Sequence, residues 1–220
     1  PAEPPHIAWV RLFASVTPQN LHQNWRVLFE SCLAELPPRS QTTIAALGLS
    51  AWFTGLLTDV GFLHHQNVVT LQWDGNLPPA RPLADEITFR MMTPLDLPAV
   101  YQIDSLSFEP LWQNSLDEVQ RSFSQAGYCT IAEKEGQVMG YQISTLKPGH
   151  LHLTRLAVHP LLQRLSIGYG IVYHLLSFCS QQAINQVTVN TQDSNRSSLA
   201  LYRKFNFSLT GDDFPVFIYP

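Results

Sequence analysis

Residues 150–176 hold the densest chemistry in the chain. His-Leu-His-Leu-Thr-Arg-Leu-Ala-Val-His-Pro leads into Leu-Leu-Gln-Arg-Leu-Ser-Ile-Gly-Tyr-Gly and then an apolar run. The first part reads as a strand, Pro160 as a turn residue, and the rest as a helix opening near Ser166 with glycines at Gly168 and Gly170. A glycine-bearing loop feeding a helix leaves backbone N–H groups without intrahelical partners beside the positive end of the helix dipole. Such a loop binds anions, and the expected ligand is a phosphate. His150 and His152 alternate to one face of the strand, where an imidazole can accept a proton near neutral pH. No metal is expected there, because no third ligand stands at a suitable spacing. A dinucleotide site is not expected either, since Gly-x-Gly-x-x-Gly directly after a strand is missing.

Leu156-Ala157-Val158-His159-Pro160, two further residues, then Gln163-Arg164-Leu165-Ser166-Ile167-Gly168 resembles the acetyl-coenzyme A motif of the GNAT N-acetyltransferase superfamily. Ser166 stands where that motif's first glycine is usual, and a serine there can cap the helix or offer its hydroxyl to a phosphate. The segment from Asn190 to Asn195, followed by Leu199-Ala200-Leu201-Tyr202-Arg203-Lys204-Phe205-Asn206-Phe207, resembles the second signature of the same superfamily. Asn206 replaces a glycine there, and Asn tolerates the left-handed conformation best after glycine.

The resemblance implies acetyl-coenzyme A (acetyl-CoA) as cosubstrate, with its acetyl group passing to a primary amine, of a protein N-terminus or a small molecule, by direct attack in a ternary complex. It implies a bulged strand at Leu156, Ala157 and Val158, with Val158 at the thioester oxygen. Cofactor contacts are implied for Gln163, Arg164, Leu165, Ser166, Ile167, Gly168, Tyr169, Gly170, Asn195 and Tyr202. Tyr202 is also the implied acid for the leaving thiolate. Ser107-Phe108-Glu109-Pro110-Leu111-Trp112 adds similarity to the ribosomal-protein alanine N-acetyltransferases, in which a Glu is expected where this chain has Asn190. An Asn side chain cannot take a proton at neutral pH. The general base would then be His152, His150 or Glu109, acting directly or through water.

The elements that must position these residues can be traced in order. A strand is predicted over 6–15, a helix over 18–36 ended by Pro37-Pro38, a strand over 42–47, a helix over 50–59 and a strand over 67–73, with His64-His65 in a turn. A turn-and-proline linker at 77–85 separates this block, residues 1–76, from a second block, 86–220. The second block reads as a strand at 87–91, a helix capped by Thr93, a helix from Ser115 to Ala126, and a hairpin turning at Glu135-Gly136. The strand, loop and helix of 150–176 follow, then a strand at 186–191, a helix at 195–205 and closing strands at 207–210 and 214–219. That order resembles the GNAT fold, an α/β (α+β) arrangement with a mixed central sheet flanked by helices. A shift of about 145 positions lays the first block on the end of the second, so the first block reads as a degenerate GNAT-like half that lacks the glycines and has Leu57 in place of Tyr202.

Composition narrows the partners. A net charge of −4, with 13 scattered basic residues, argues against nucleic acid or an anionic membrane. Three well-separated cysteines, Cys32, Cys129 and Cys179, suggest buried thiols in a reducing compartment. No apolar run is long enough to span a bilayer, and a cytoplasmic protein is expected, as a monomer or homodimer. Acidic Glu109, Asp212 and Asp213 are candidates to attract an amine, and Phe108, Trp112, Tyr141 and Tyr219 to wall its site. The other function class consistent with Ser166 and Asn190 is a catalytically weak acetyl-CoA-binding sensor or interaction protein.

Overall fold

The computed structural model of the chain describes residues 6–16, 18–36, 42–80 and 87–220. The Pro37-Pro38 helix stop and residues 81–85 of the expected linker lie outside them. In chain order the elements are β1 (Ile7–Val10), α1 (Leu21–Ala34), β2 (Thr43–Leu47), α2 (Ala51–Asp59), β3 (Leu63–Trp73) and β4 (Thr88–Met91). They continue with α3 (Leu97–Ser107), α4 (Leu116–Gln125), β5 (Tyr128–Lys134), β6 (Gln137–Lys147), β7 (His150–Val158), α5 (Ile167–Gln181), β8 (Gln186–Gln192), α6 (Arg196–Arg203) and β9 (Phe207–Tyr219). Strands and helices alternate around mixed sheet pairings, as the sequence predicts.

The chain forms two compact units, one of residues up to Val68 with Asp213–Pro220, the other Val69–Asp212. The division falls within β3 and β9, while the described part of the expected linker, 77–80, lies in the second unit. In the first unit β1 pairs parallel with β2, and β2 pairs antiparallel with the C-terminal end of β9. Trp25 and Phe29, one helical turn apart on α1, pack with Ile44, Ala46, Leu56, Leu57, Phe62 and Phe217 to make its core.

The second unit carries the sequence motifs. Thr93 opens its first helical stretch with a capping box closed by Asp96, and Ser115 caps α4 by accepting from the Glu118 N–H at 3.1 Å. Along α3, Leu97, Val100, Ile103 and Asp104 are buried, the spacing of one helical face. Helix α5 is buried on two sides, with Val172, Leu175 and Leu176 in one cluster and Ile167 and Ile171 in another. Strands β4, β5, β6 and β7 pair antiparallel in succession, and β7 pairs parallel with β8. The hairpin turn at Glu135-Gly136 has positive φ at both residues, as a two-residue turn between twisted strands requires.

Three expectations need correction. β3 begins at Leu63, so His64 and His65 lie in a strand rather than a turn, although both are exposed. The two closing strands are one, β9, because Gly211 at φ +92° turns the backbone without reversing it. Cys32 is exposed; only Cys129 and Cys179 are buried, their thiols pushed up to about 11 and about 12 by burial.

Two parallel strand pairings are offset by the same 145 positions. Ile7 pairs with Thr43 in β1–β2, and their counterparts His152 and Thr188 pair in β7–β8.

Candidate active site

The site is built around one irregularity in β7. Ile143 pairs with Arg155 but Ser144 pairs with Leu153, so Thr154 has no partner across the β6–β7 ladder. Such a bulge reverses the alternation of side chains. Ahead of it Leu151 and Leu153 face the α5 cluster; beyond it Leu156 and Val158 do, while Arg155 and Ala157 turn toward α3. β7 and β8 pair from His150 and Gln186 as far as Leu153 and Val189. Past that point the two strands no longer pair with each other, so backbone groups of β7 on its β8 side lack a strand partner there.

The loop after β7 continues from there. His159 Nδ1 accepts from the Leu161 N–H at 3.3 Å, and a 3-10 turn spans Pro160–Leu162. Gln163 Nε2 donates to the Val158 carbonyl at 3.3 Å, and Ser107 Oγ donates to the same oxygen at 3.1 Å. Arg164 and Ser166 both have left-handed backbones, at φ +66° and +62°, with Leu165 between them at negative φ. Alternating handedness turns successive N–H groups toward one side and makes an anion-binding concavity. Residues 163–166 are exposed, and among the described residues no backbone carbonyl accepts from the N–H groups of 164–168.

Several expectations change at this loop. Ser166 makes no side-chain cap; its place is one that glycine adopts freely and serine only with strain. The Gly170 N–H donates to the Ser166 carbonyl at 2.9 Å, the first intrahelical bond of α5. The Tyr169 ring stacks on Phe205 with centroids 4.5 Å apart inside the core, leaving only its main chain near the loop. Gly168 is less demanding than its motif suggests: an added Cβ would meet Leu201 at 3.5 Å and Val158 at 3.6 Å, ordinary contacts.

Asn195 caps α6 as expected, its side chain accepting from the Ser198 N–H at 3.1 Å and from Ser197 Oγ at 2.9 Å. Asn206 has the left-handed φ of +62° that its motif position requires. Tyr202 is 4% exposed, its ring 5.4 Å from Phe207, and burial holds its phenol well above the usual tyrosine range. Asn190 is exposed.

His152 Nδ1 lies 2.9 Å from Thr188 Oγ1, and His150 Nε2 lies 3.4 Å from the same oxygen. Burial, and secondarily His150, lowers the His152 pKa from the ordinary 6.5, so the imidazole is neutral at neutral pH. Glu109 is exposed in the loop after α3. Of the candidate walls, Tyr141 is fully buried and Tyr219 belongs to the first unit's core, whereas Phe108 and Trp112 stay in the loop after α3. Asp212 and Asp213 are exposed on β9. Among the described residues no group of three or more His, Cys, Asp or Glu side chains could hold a metal ion, and no helix is long and apolar enough to cross a membrane.

Sequence reasoning missed a fully buried ionic group of the second unit. The Asp104 carboxylate, fully buried, accepts from Arg155 Nε at 2.7 Å and Nη2 at 2.8 Å, from Tyr141 Oη at 2.5 Å and from the Asn114 N–H at 2.9 Å. The available signal was an acidic residue on the apolar face of α3 and an arginine inside an apolar strand.

Known proteins share the family and the fold. A family model described as "Acetyltransferase (GNAT) family" matches residues 97–207. A Bacillus subtilis (strain 168) protein provisionally named a ribosomal protein bS18-alanine N-acetyltransferase is 22% identical over 116 residues, 53% of this chain and 77% of that one. The crystal structure of a GCN5-related N-acetyltransferase from Sphaerobacter thermophilus superposes with a TM-score of 0.70 at 15% identity, over 92% of this chain and 68% of that one. A tandem GNAT protein from the clavulanic acid biosynthesis pathway superposes with a TM-score of 0.64 at 11% identity, over 97% of this chain and 75% of that one.

Proposed function

Because the chain belongs to the acetyltransferase (GNAT) family, we propose that its second unit holds acetyl-CoA along Leu156–Val158 and the Gln163–Gly168 loop and transfers the acetyl group to a primary amine. The observation that carries this reading is the bulged strand running straight into a loop of exposed, alternately handed amides. That combination fits an extended ligand with a pyrophosphate at one end. Bound acetyl-CoA supplies an activated acyl group and a thiolate leaving group. The Val158 main chain polarises the acyl oxygen, and the open strand ends hold the acyl carbon within reach of the incoming amine.

Two protons have to be moved. His152, neutral and held by Thr188, accepts one from the ammonium or amine directly or through water, with Glu109 as the exposed alternative. Tyr202 keeps its proton across the physiological range and returns one to the thiolate. Asn195 lines the cofactor arm while capping its helix. The name of the Bacillus subtilis relative, together with Phe108 and Trp112 beside Glu109, favours a peptide N-terminus beginning with alanine as acceptor.

The first unit is read as a degenerate copy whose cofactor cleft is filled by its own side chains. The residues 145 positions before Val158, Gly170, Ser197 and Ser198 are Phe13, Trp25, Trp52 and Phe53. These four form one aromatic cluster, with centroids 5.1 Å apart for Phe13–Trp25, 5.5 Å for Trp25–Phe53 and 5.6 Å for Trp52–Phe53.

Isothermal titration with acetyl-CoA, coenzyme A and adenosine nucleotides tests the site, followed by acetyl transfer to peptides and small amines. Binding of acetyl-CoA and transfer to an amine is the expected result; no binding overturns it. Exposed Asn190, where a carboxylate would serve as base, favours the second reading, an acetyl-CoA-binding sensor or interaction protein. Tight binding with no transfer in a broad amine screen would select that one.

A further inference from the structure

Taking a carboxylate and a guanidinium out of water costs several kcal/mol before their attraction repays it, and a packed apolar pair often serves stability as well. The Asp104–Arg155 pair therefore calls for a reason beyond stability, and its geometry supplies one. The planar fork of Arg155 binds both carboxylate oxygens, which fixes its direction. From that fixed position Nη2 also donates to the Trp112 carbonyl at 2.6 Å, and the guanidinium lies 3.5 Å over the Phe108 ring. The Asp104 carboxylate in turn takes the Asn114 N–H. One ion pair thus holds the start, middle and end of the 108–114 loop. Gln113 closes the same loop by donating to the Ser105 and Phe108 carbonyls at 2.9 Å and 3.0 Å. On its other side Arg155 is the first residue after the bulge and the neighbour of Leu156.

We propose that Arg155, oriented by Asp104, is a positioning residue for the acceptor. It fastens the Phe108–Asn114 loop to the strand carrying Leu156–Val158, so that the acceptor-side wall stands at a set distance from the bound acyl group. This rests on the acyl-transfer reading of the site. Tyr141 completes the arrangement; burial first, then Asp104, holds its phenol well above its usual range, so it remains a donor to the carboxylate.

The test compares the full chain with Arg155→Lys, which keeps a charge for Asp104 but loses the fork and the ring contact. Ile184→Val, a core truncation away from the loop, serves as a stability control. The probe is an alanine-starting peptide. In Arg155→Lys, KM for the peptide should rise about tenfold, with kcat and acetyl-CoA affinity within about threefold of wild type, and amide exchange over 109–114 should quicken; Ile184→Val should leave KM alone. Unchanged KM and exchange in folded Arg155→Lys, or an equal KM rise in Ile184→Val, overturns the proposal. So does a loss confined to acetyl-CoA binding. Should Arg155→Lys not fold, Phe108→Leu removes the ring beneath the guanidinium and carries the same expectation at smaller size. If wild type binds acetyl-CoA but acetylates no peptide, the acceptor reading fails by itself. Amide exchange over 109–114 in the variant then decides the fastening.

Discussion

Tyr202, His152 and Ser166 each connect a local environment to a measurable property. Burial keeps the Tyr202 phenol protonated, so Tyr202→Phe should lower kcat about 100-fold while acetyl-CoA affinity changes less than about twofold. Steady-state kinetics and titration calorimetry check the two halves. His152 must be neutral to accept a proton, and its folded pKa lies below 6.5. The acid limb of kcat/KM should therefore fall below pH 6.5, and His152→Gln should remove that limb. The same shift has a sign for stability: the unfolded chain binds the proton more readily, so stability is lost as pH falls from 6.5 through the folded pKa. His174, also lowered by burial, adds in the same direction, and chemical denaturation between pH 7 and 5 reads the sum. The need for a base or a left-handed residue was visible in residue types alone. That His152 lies against Thr188, and that Ser166 takes a left-handed backbone and makes no cap, was not visible there; the Thr188 contact comes from 36 positions away.

At the scale of elements, the β7 bulge rotates Leu156 and Val158 onto the α5 side and Arg155 onto the α3 side, the arrangement on which the proposed site rests. β6 supports that shape through Gly140, where an added Cβ would stand 2.8 Å from the Ala157 carbonyl oxygen and 3.0 Å from Ile171. Gly140→Ala should cost about 1–3 kcal/mol in stability and weaken acetyl-CoA binding, because the backbone that yields is the cofactor strand. Thermal unfolding and calorimetry on the same preparation test both. At the start of α5, Ser166→Val places a β-branched residue at φ +62° and should destabilise by about 1–2 kcal/mol. Ser166→Gly should be tolerated with acetyl-CoA affinity equal or higher. Helices and strands were legible from apolar spacing and caps, since those signals act within a few residues. β9 read as two strands because Gly211-Asp212-Asp213 has the composition of a turn, whereas Gly211 only bends the strand.

At the scale of the whole molecule, the two units predict a binding stoichiometry. If, as proposed, the Phe13, Trp25, Trp52 and Phe53 cluster fills the first unit's equivalent cleft, acetyl-CoA should bind at one site per chain, and titration calorimetry should give one rather than two. Trp25→Ala should destabilise by about 3–5 kcal/mol, as loss of a buried aromatic does, without creating a second site. The sequence by itself determined the family, through two motifs in the right order, because backbone anion sites need particular residues at particular spacings. It also determined most of the element order, because amphipathic period is a local property. Only the tertiary structure decided that β7 and β8 part after Leu153, and that the first unit takes its closing strand from residues 213–219. It alone joined Asp104 to Arg155 across 51 positions. Strand partners and buried ion pairs are choices among distant segments, made by the free energy of the whole packed chain, and no short stretch of sequence contains them.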